Sequence, residues 1–505
     1  MRNHGKIVLS AAVAALLCCP LRAHADGAAA PDMVRHSIDA MCGRACLQAL
    51  NSVEYTAVGF RDMVEQSVRP TGPYFLDYET VHVIRDYSRH RTRADESHLA
   101  YGADKWWLQQ TAPSTDTYVI NDDVAATLKD GAYRYAGGYF LAFDDDQYGF
   151  SPERVLLAAA AAPDLRQLPD EALHGFMHHV VGYTWRDARA KLYLNPFTGL
   201  PTMVQFTRAY PYHTFLNTWG DVTTRITYEG WNLEQGGLRY PRQWNYQREN
   251  LPDMTLVLTQ LQFNPQLSDA ALTLPADVYA KYHNRLRATD DVPLGASGSG
   301  PPQELAPGVV QVSGGWNVTY VKQDDGVIVI EAPWSPPYSK RAFAAARARF
   351  GLPVKAVITT SDSWPHIAGV RQAVAEGIPV YALDLNLPIL RRLVAAPHTI
   401  RPDDLARNRR SPHFVTVSQR VAIGTGPNRI EIVPYREETA ERQMMVYFPG
   451  HKLLYTSDLF SPDSDGSWFT PEYAHEALDA IRRERLDVQT IFGMHYGPTP
   501  FTQLH

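Results

Sequence analysis

The sequence predicts two structural halves, a mainly β antiparallel one followed by an α/β one. Three observations carry this reading. Short runs of alternating apolar and polar residues, separated by turn-forming residues, recur through 33–290, the period-two signature of half-buried strands. Residues 293–303 then gather Pro293, Gly295, Gly298, Gly300, Pro301 and Pro302, a stretch that cannot bury apolar surface and reads as a linker. Beyond it, an apolar strand at 354–358 turns into a helical run at 370–376, the strand-to-helix order of an α/β unit.

Taken in order, the chain opens on Arg2 and Lys6, an apolar run at 7–17, and Ala23-His24-Ala25, the layout of a secretory signal cleaved after Ala25. A periplasmic or secreted protein is expected, with residues 1–25 removed. No later stretch offers about 18 uninterrupted apolar residues, so no transmembrane segment is expected after cleavage. Removing Arg2, Lys6 and Arg22 lowers Lys plus Arg from 48 to 45 against 54 Asp plus Glu, a formal charge of about −9. That excess of acid argues against nucleic acid as a partner. Cys18 and Cys19 leave with the signal; Cys42 and Cys46 remain, one turn apart in an expected helix at 33–50. A local disulfide, two free core thiols and a redox pair all stay open.

Strands follow at 117–120, 190–194, 203–208, 223–228 and 254–263, with a turn at 195–201 and a helical segment at 151–168. The Gly199-Leu200-Pro201 turn, strands carrying Tyr240-Pro241 and a close near Asn264-Pro265 resemble the LolA-like open β-barrel of envelope lipoprotein carriers. The resemblance implies a strand-rich domain over 26–292 whose concave face receives a small-molecule or lipid-like ligand. His174, His178 and His179 are read as structural, since no carboxylate shares their spacing and adjacent histidines on a strand point to opposite faces. Trp106-Trp107 and the aromatic stretch at 210–215 are read as packing rather than a ligand cage.

After the linker, strands are expected at 309–312, 316–321 and 327–331, split by Gly314-Gly315 and Asp324-Asp325-Gly326. The strand at 354–358 then leads into Thr359-Thr360-Ser361-Asp362-Ser363-Trp364-Pro365-His366-Ile367-Ala368-Gly369. Downstream lie a strand, turn and strand ending in Thr456-Ser457-Asp458-Leu459, and then Gly493-Met494-His495-Tyr496-Gly497. These segments resemble the metallo-β-lactamase superfamily, whose strand-to-helix turn carries His-x-His-x-Asp-His. The resemblance covers about 304–500 and implies an αββα sandwich over 304–505.

In that family three histidines hold one metal, and an aspartate and two histidines hold a second, with another aspartate bridging. On the motif, Ser361 and Ser363 stand at the first two histidines, Pro365 at the aspartate and His366 at the last histidine; Thr439, ten residues before Pro449, takes the third first-metal position. His366, Asp458 and His495 remain, a two-His, one-carboxylate set that leaves coordination open for water and substrate. One divalent metal ion, zinc before others, is the cofactor this implies. Glu331 stands where the family carries a supporting aspartate, and Tyr496 beside His495 is a candidate to orient substrate. The plain alternative for each is a strand-end residue satisfied by a turn. Two functions follow: a metal-dependent hydrolase of an ester, amide or phosphoester, or an inactive relative that keeps the scaffold to bind a ligand or partner.

Overall fold

The structure, a computed structural model, describes residues 30–65, 67–100, 114–295, 300–460, 468 and 471–504. The expected leader at 1–25, Trp106-Trp107 and the middle of the 293–303 linker lie outside the described residues. Among the described residues no helix is long and apolar enough to cross a membrane.

The first half builds a 13-stranded antiparallel sheet from two meanders. One runs from Ser52–Asp62 to Ala132–Tyr135, the other from Arg166–Leu173 to Leu251–Phe263, and the first strand pairs with the last to join them. Helices Ala30–Met41, Gly138–Phe150 and Pro152–Ala161 cover one face, where Val34, Ile38, Phe150 and Leu156 pack on Tyr183, Phe206 and Trp244. The helix expected over 151–168 is shorter than that reading. Ala162 before Pro163 is extended and ends it, as a residue preceding proline disfavours the α region, and strand Arg166–Leu173 follows. Cys42 and Cys46 form a disulfide.

The second half is an αββα sandwich in its own layering. Strands Gly326–Ile330 and Met444–Phe448 belong to different sheets. Ile328 and Ile330 face Met444, Val446 and Phe448 in the core between those sheets. The alternate residues face outward: Val327 and Val329 pack under helices Pro336–Phe350 and Val370–Glu376, and Met445 and Tyr447 under Pro471–Arg483. This alternation is why each strand reads as a continuous apolar run. Helix Pro336–Phe350 starts where Ser335 caps the Tyr338 N–H and stops at Gly351, whose φ of 65° suits glycine.

The halves share a hydrophobic cluster, in which Tyr210, Leu216, Trp219 and Val222 join the outer face of the second half. Trp219 meets Trp364 edge to face at 5.1 Å. Asp221 accepts hydrogen bonds from the Thr399 and Ile400 N–H groups at 3.0 and 2.9 Å. The loop after Ser52–Asp62 also reaches the sandwich, where Glu65 meets Ser363 and the Trp364 N–H.

Candidate metal centre

His366 sits in the short helix Trp364–Ile367, one turn after strand Val354–Ile358. The turn holds its place because Gly369 packs directly on Ser339 and Ala332: a Cβ there would stand 1.9 Å from Ser339 Oγ. Asp458 follows strand Leu453–Tyr455 through Ser457, which takes a left-handed φ of 53°. His495 sits in the loop after strand Thr490–Phe492. The side-chain amides of Gln311 and Asn317 clamp that loop, each donating to the carbonyls of Gly493 and Tyr496 at 3.1–3.2 Å.

These elements bring the three residues together. His366 Nε2 lies 3.3 Å from Asp458 Oδ2, and His495 Nε2 lies 3.2 Å from Asp458 Oδ1. His495 Nδ1 is 3.2 Å from the Gly315 carbonyl; that acceptor places the ring proton on Nδ1 and leaves Nε2 as a lone pair facing a carboxylate oxygen. Two acceptors so close require a proton or a cation between them, so the donor set fits a metal ion. Without one, a proton serves: burial opposes it, but Asp458 and the Gly315 carbonyl raise the His495 pKa. Burial lowers His366 to about 4 despite Asp458, so its ring is neutral, and its buried Nδ1 has no hydrogen-bond partner among the described residues.

The centre opens into a pocket of about 220 Å3. Ser361, Ser363 and Pro365 line it. Thr439 does not: its hydroxyl donates to Glu476 at 2.5 Å, and Ala440 forms the wall instead. Tyr496 is 6% exposed and pairs its hydroxyl with Thr456 Oγ1 at 2.5 Å, so it supports the strand end and does not face the pocket. Glu331 is fully buried behind the site, accepting from the Thr360 hydroxyl and N–H and from Tyr455 OH. Burial, aided by the Asp458 charge, raises its pKa to about 8 against those hydrogen bonds.

The sequence reading missed a carboxylate. Glu65, from the loop of the first half, lines the same pocket. Its Oε1 accepts from Ser363 Oγ and from the Trp364 N–H at 3.0 Å, at the start of the helix that carries His366. Burial raises its pKa to about 7, the Asp458 and Asp362 charges adding to that and the two hydrogen bonds opposing it. Arg442, Gln443, Trp316 and Phe215 complete the wall. The Gln443 amide oxygen accepts the Asp458 N–H at 3.3 Å, and Trp316 stands edge-on to His495 at 6.2 Å.

No family model and no curated protein matches the sequence. Among solved structures, a metallo-β-lactamase from Pontibacter korlensis is similar over 40% of this chain and 94% of that one, at 14% identity and a TM-score of 0.32. A metallo-β-lactamase from Hirschia baltica is similar over 40% and 94%, at 15% identity and a TM-score of 0.31. Likeness at this level adds nothing to the sheet order and site geometry, on which the αββα architecture rests.

Proposed function

We propose that the chain is an exported hydrolase working with one divalent metal ion, zinc first, held by His366, Asp458 and His495. In this reading residues 1–25 are the cleaved signal, 26–292 a carrier-like β domain, 293–303 the link and 304–505 the hydrolase domain. The observation that supports it is the approach of two imidazole nitrogens to both oxygens of one carboxylate at 3.2–3.3 Å. When bound, such an ion supplies Lewis acidity to water and to the ester, amide or phosphoester bond.

The chain's own residues do the rest. Glu65 takes the place of the acidic group that Pro365 cannot supply, accepting the proton of the attacking water at its carboxylate. A carboxyl poised near neutral pH suits that task, and Ser363 Oγ with the Trp364 N–H holds it in position. Arg442, 3.7 Å from Asp362, supplies positive charge for an anionic substrate group. Glu331 orients Thr360 and Tyr455 behind the centre. The second reading, ligand binding without chemistry, is favoured by Ser361 and Ser363 where the resemblance expects histidines.

Loading separates the two. The mature protein, equilibrated with zinc, manganese or iron and desalted, should retain about one ion per chain and hydrolyse at least one of a panel of nitrophenyl esters, anilides and phosphoesters. Failure to retain any of these ions withdraws the hydrolase and leaves the binding reading.

A further inference from the structure

Next to the candidate centre lies a second cavity of about 310 Å3, formed where the two halves meet. The two share Glu65 and Phe215 as wall residues. Met63, Val64, Leu216, Leu251 and Trp364 make much of the remaining wall apolar; cavities of this size and lining take small organic molecules. The guanidinium groups in the wall are partly engaged: Arg248 donates to Asp253 at 2.6 Å and lies 3.9 Å over the Phe143 ring, with its Nε left unpaired among the described residues, and Arg61 donates to Glu79 at 2.8 Å.

His213 interrupts the apolar lining. Its Nδ1 accepts the backbone N–H groups of Phe215 and Leu216, both at 3.2 Å. A ring nitrogen that accepts hydrogen bonds carries no proton, so the proton of the neutral ring is on Nε2. Burial, with the Arg248 and Arg61 charges, keeps that ring neutral. The residue is 3% exposed and lines the cavity, and its Nε2 has no hydrogen-bond partner among the described residues. A buried N–H donor without an acceptor is costly and marks where a ligand's acceptor would sit.

We propose that this cavity binds the apolar part of the substrate processed next door: a group of aromatic or branched-acyl size that carries one acceptor oxygen, received by His213 Nε2–H. The word substrate rests on the hydrolase reading; the binding does not. The reacting bond then lies beyond Glu65 and Phe215, in the pocket of His366, Asp458 and His495.

Benzophenone and 1,1-diphenylethylene share a shape and differ in C=O against C=CH2, so they test the donor without any substitution. Calorimetric titration of the metal-stripped full chain should show benzophenone binding at least about ten-fold more tightly, because a site built to donate a hydrogen bond rejects the analogue lacking the acceptor. His213→Phe should bring the two affinities together. Leu251→Trp, filling the cavity from a half-buried position, should abolish both while the melting temperature shows the chain folded. Equal affinities in the unsubstituted protein would mean that the Tyr139 ring, 4.5 Å away between centroids, satisfies Nε2–H internally, and would overturn the proposal. Absence of binding, or binding indifferent to Leu251→Trp, would overturn it as well. With metal restored, nitrophenyl 4-benzoylbenzoate should exceed nitrophenyl acetate in kcat/KM by at least about ten-fold. Carbonyl discrimination without hydrolysis under any ion removes the hydrolase and keeps the cavity as a ligand site; hydrolysis without discrimination removes the cavity and keeps the hydrolase.

Discussion

Among the described residues, two clusters bring three acidic and imidazole groups within 4.8 Å of one another: His366, Asp458 and His495 in the sandwich, and Asp77, Glu79 and His98 on the large sheet. The residue types are alike and the surroundings are not. On the sheet, Arg61 Nε donates to Glu79 at 2.8 Å, and His98 bridges Asp77 at 2.9 Å and Glu96 at 3.5 Å. Burial opposes protonation of His98, but Asp77 and Glu96 overcome it and raise its pKa to about 10. A protonated imidazole offers no lone pair, and ligands must be deprotonated to bind. In the sandwich, burial instead takes His366 to about 4, which leaves a neutral ring able to ligate. The contrast rests on His366 and on the guanidinium group of Arg61, since His495, like His98, has its pKa raised by a neighbouring carboxylate.

The sharpest way to break this comparison is metal retention. His366→Ala and His495→Ala should each abolish the retained ion measured by elemental analysis, whereas His98→Ala should leave the stoichiometry near one. The reverse pattern would move the metal site to the large sheet. Next in size, Glu65→Gln should lower kcat by about 100-fold or more at unchanged metal content, the scale of a general base, and Glu79→Ala should leave kcat alone. Parallel loss of metal and turnover in Glu65→Gln would make Glu65 a ligand instead of a base.

Glu79→Ala should show its effect in stability. Its carboxylate side chain is 1% exposed against 20% for Arg61, so removing it strands a mostly buried cation at a cost of about 2–3 kcal/mol, read from the urea midpoint. A midpoint that does not move would mean that Arg61 finds solvent or another partner. A further stability effect is the pH dependence of His98. Its folded pKa of about 10 lies above its ordinary 6.5, so the folded state holds the extra proton between those values. The stabilisation is complete below pH 6.5 and is lost as pH rises towards 10. Melting temperature should fall over that window, and His98→Gln should flatten the fall; an unchanged slope in the variant would assign it to other groups.

Much of this molecule was legible from local pattern. The alternating run at 254–263 and the continuous apolar runs at 309–312 and 354–358 became strands, because a strand's own periodicity records which faces it buries. His366, Asp458 and His495 each lie in the segment that follows a strand recognisable by its apolar run, and the structure brings the three together. Other features depend on docking. Glu65 meets Ser363 across 298 residues of sequence, and nothing near either position announces the other. Thr439 and Ala440 are neighbours, and the turn's conformation alone decided that Ala440 faces the pocket. His98 and His366 are the same side chain, separated in protonation because burial prevails at His366 and the Asp77 and Glu96 partners prevail over it at His98. The sequence by itself thus determined the elements and the kinds of ligand they carry, since helix and strand periods are properties of adjacent residues. Only the tertiary structure decided charge state, access and the acidic partner, since those follow from desolvation and from electrostatics between segments far apart in the chain.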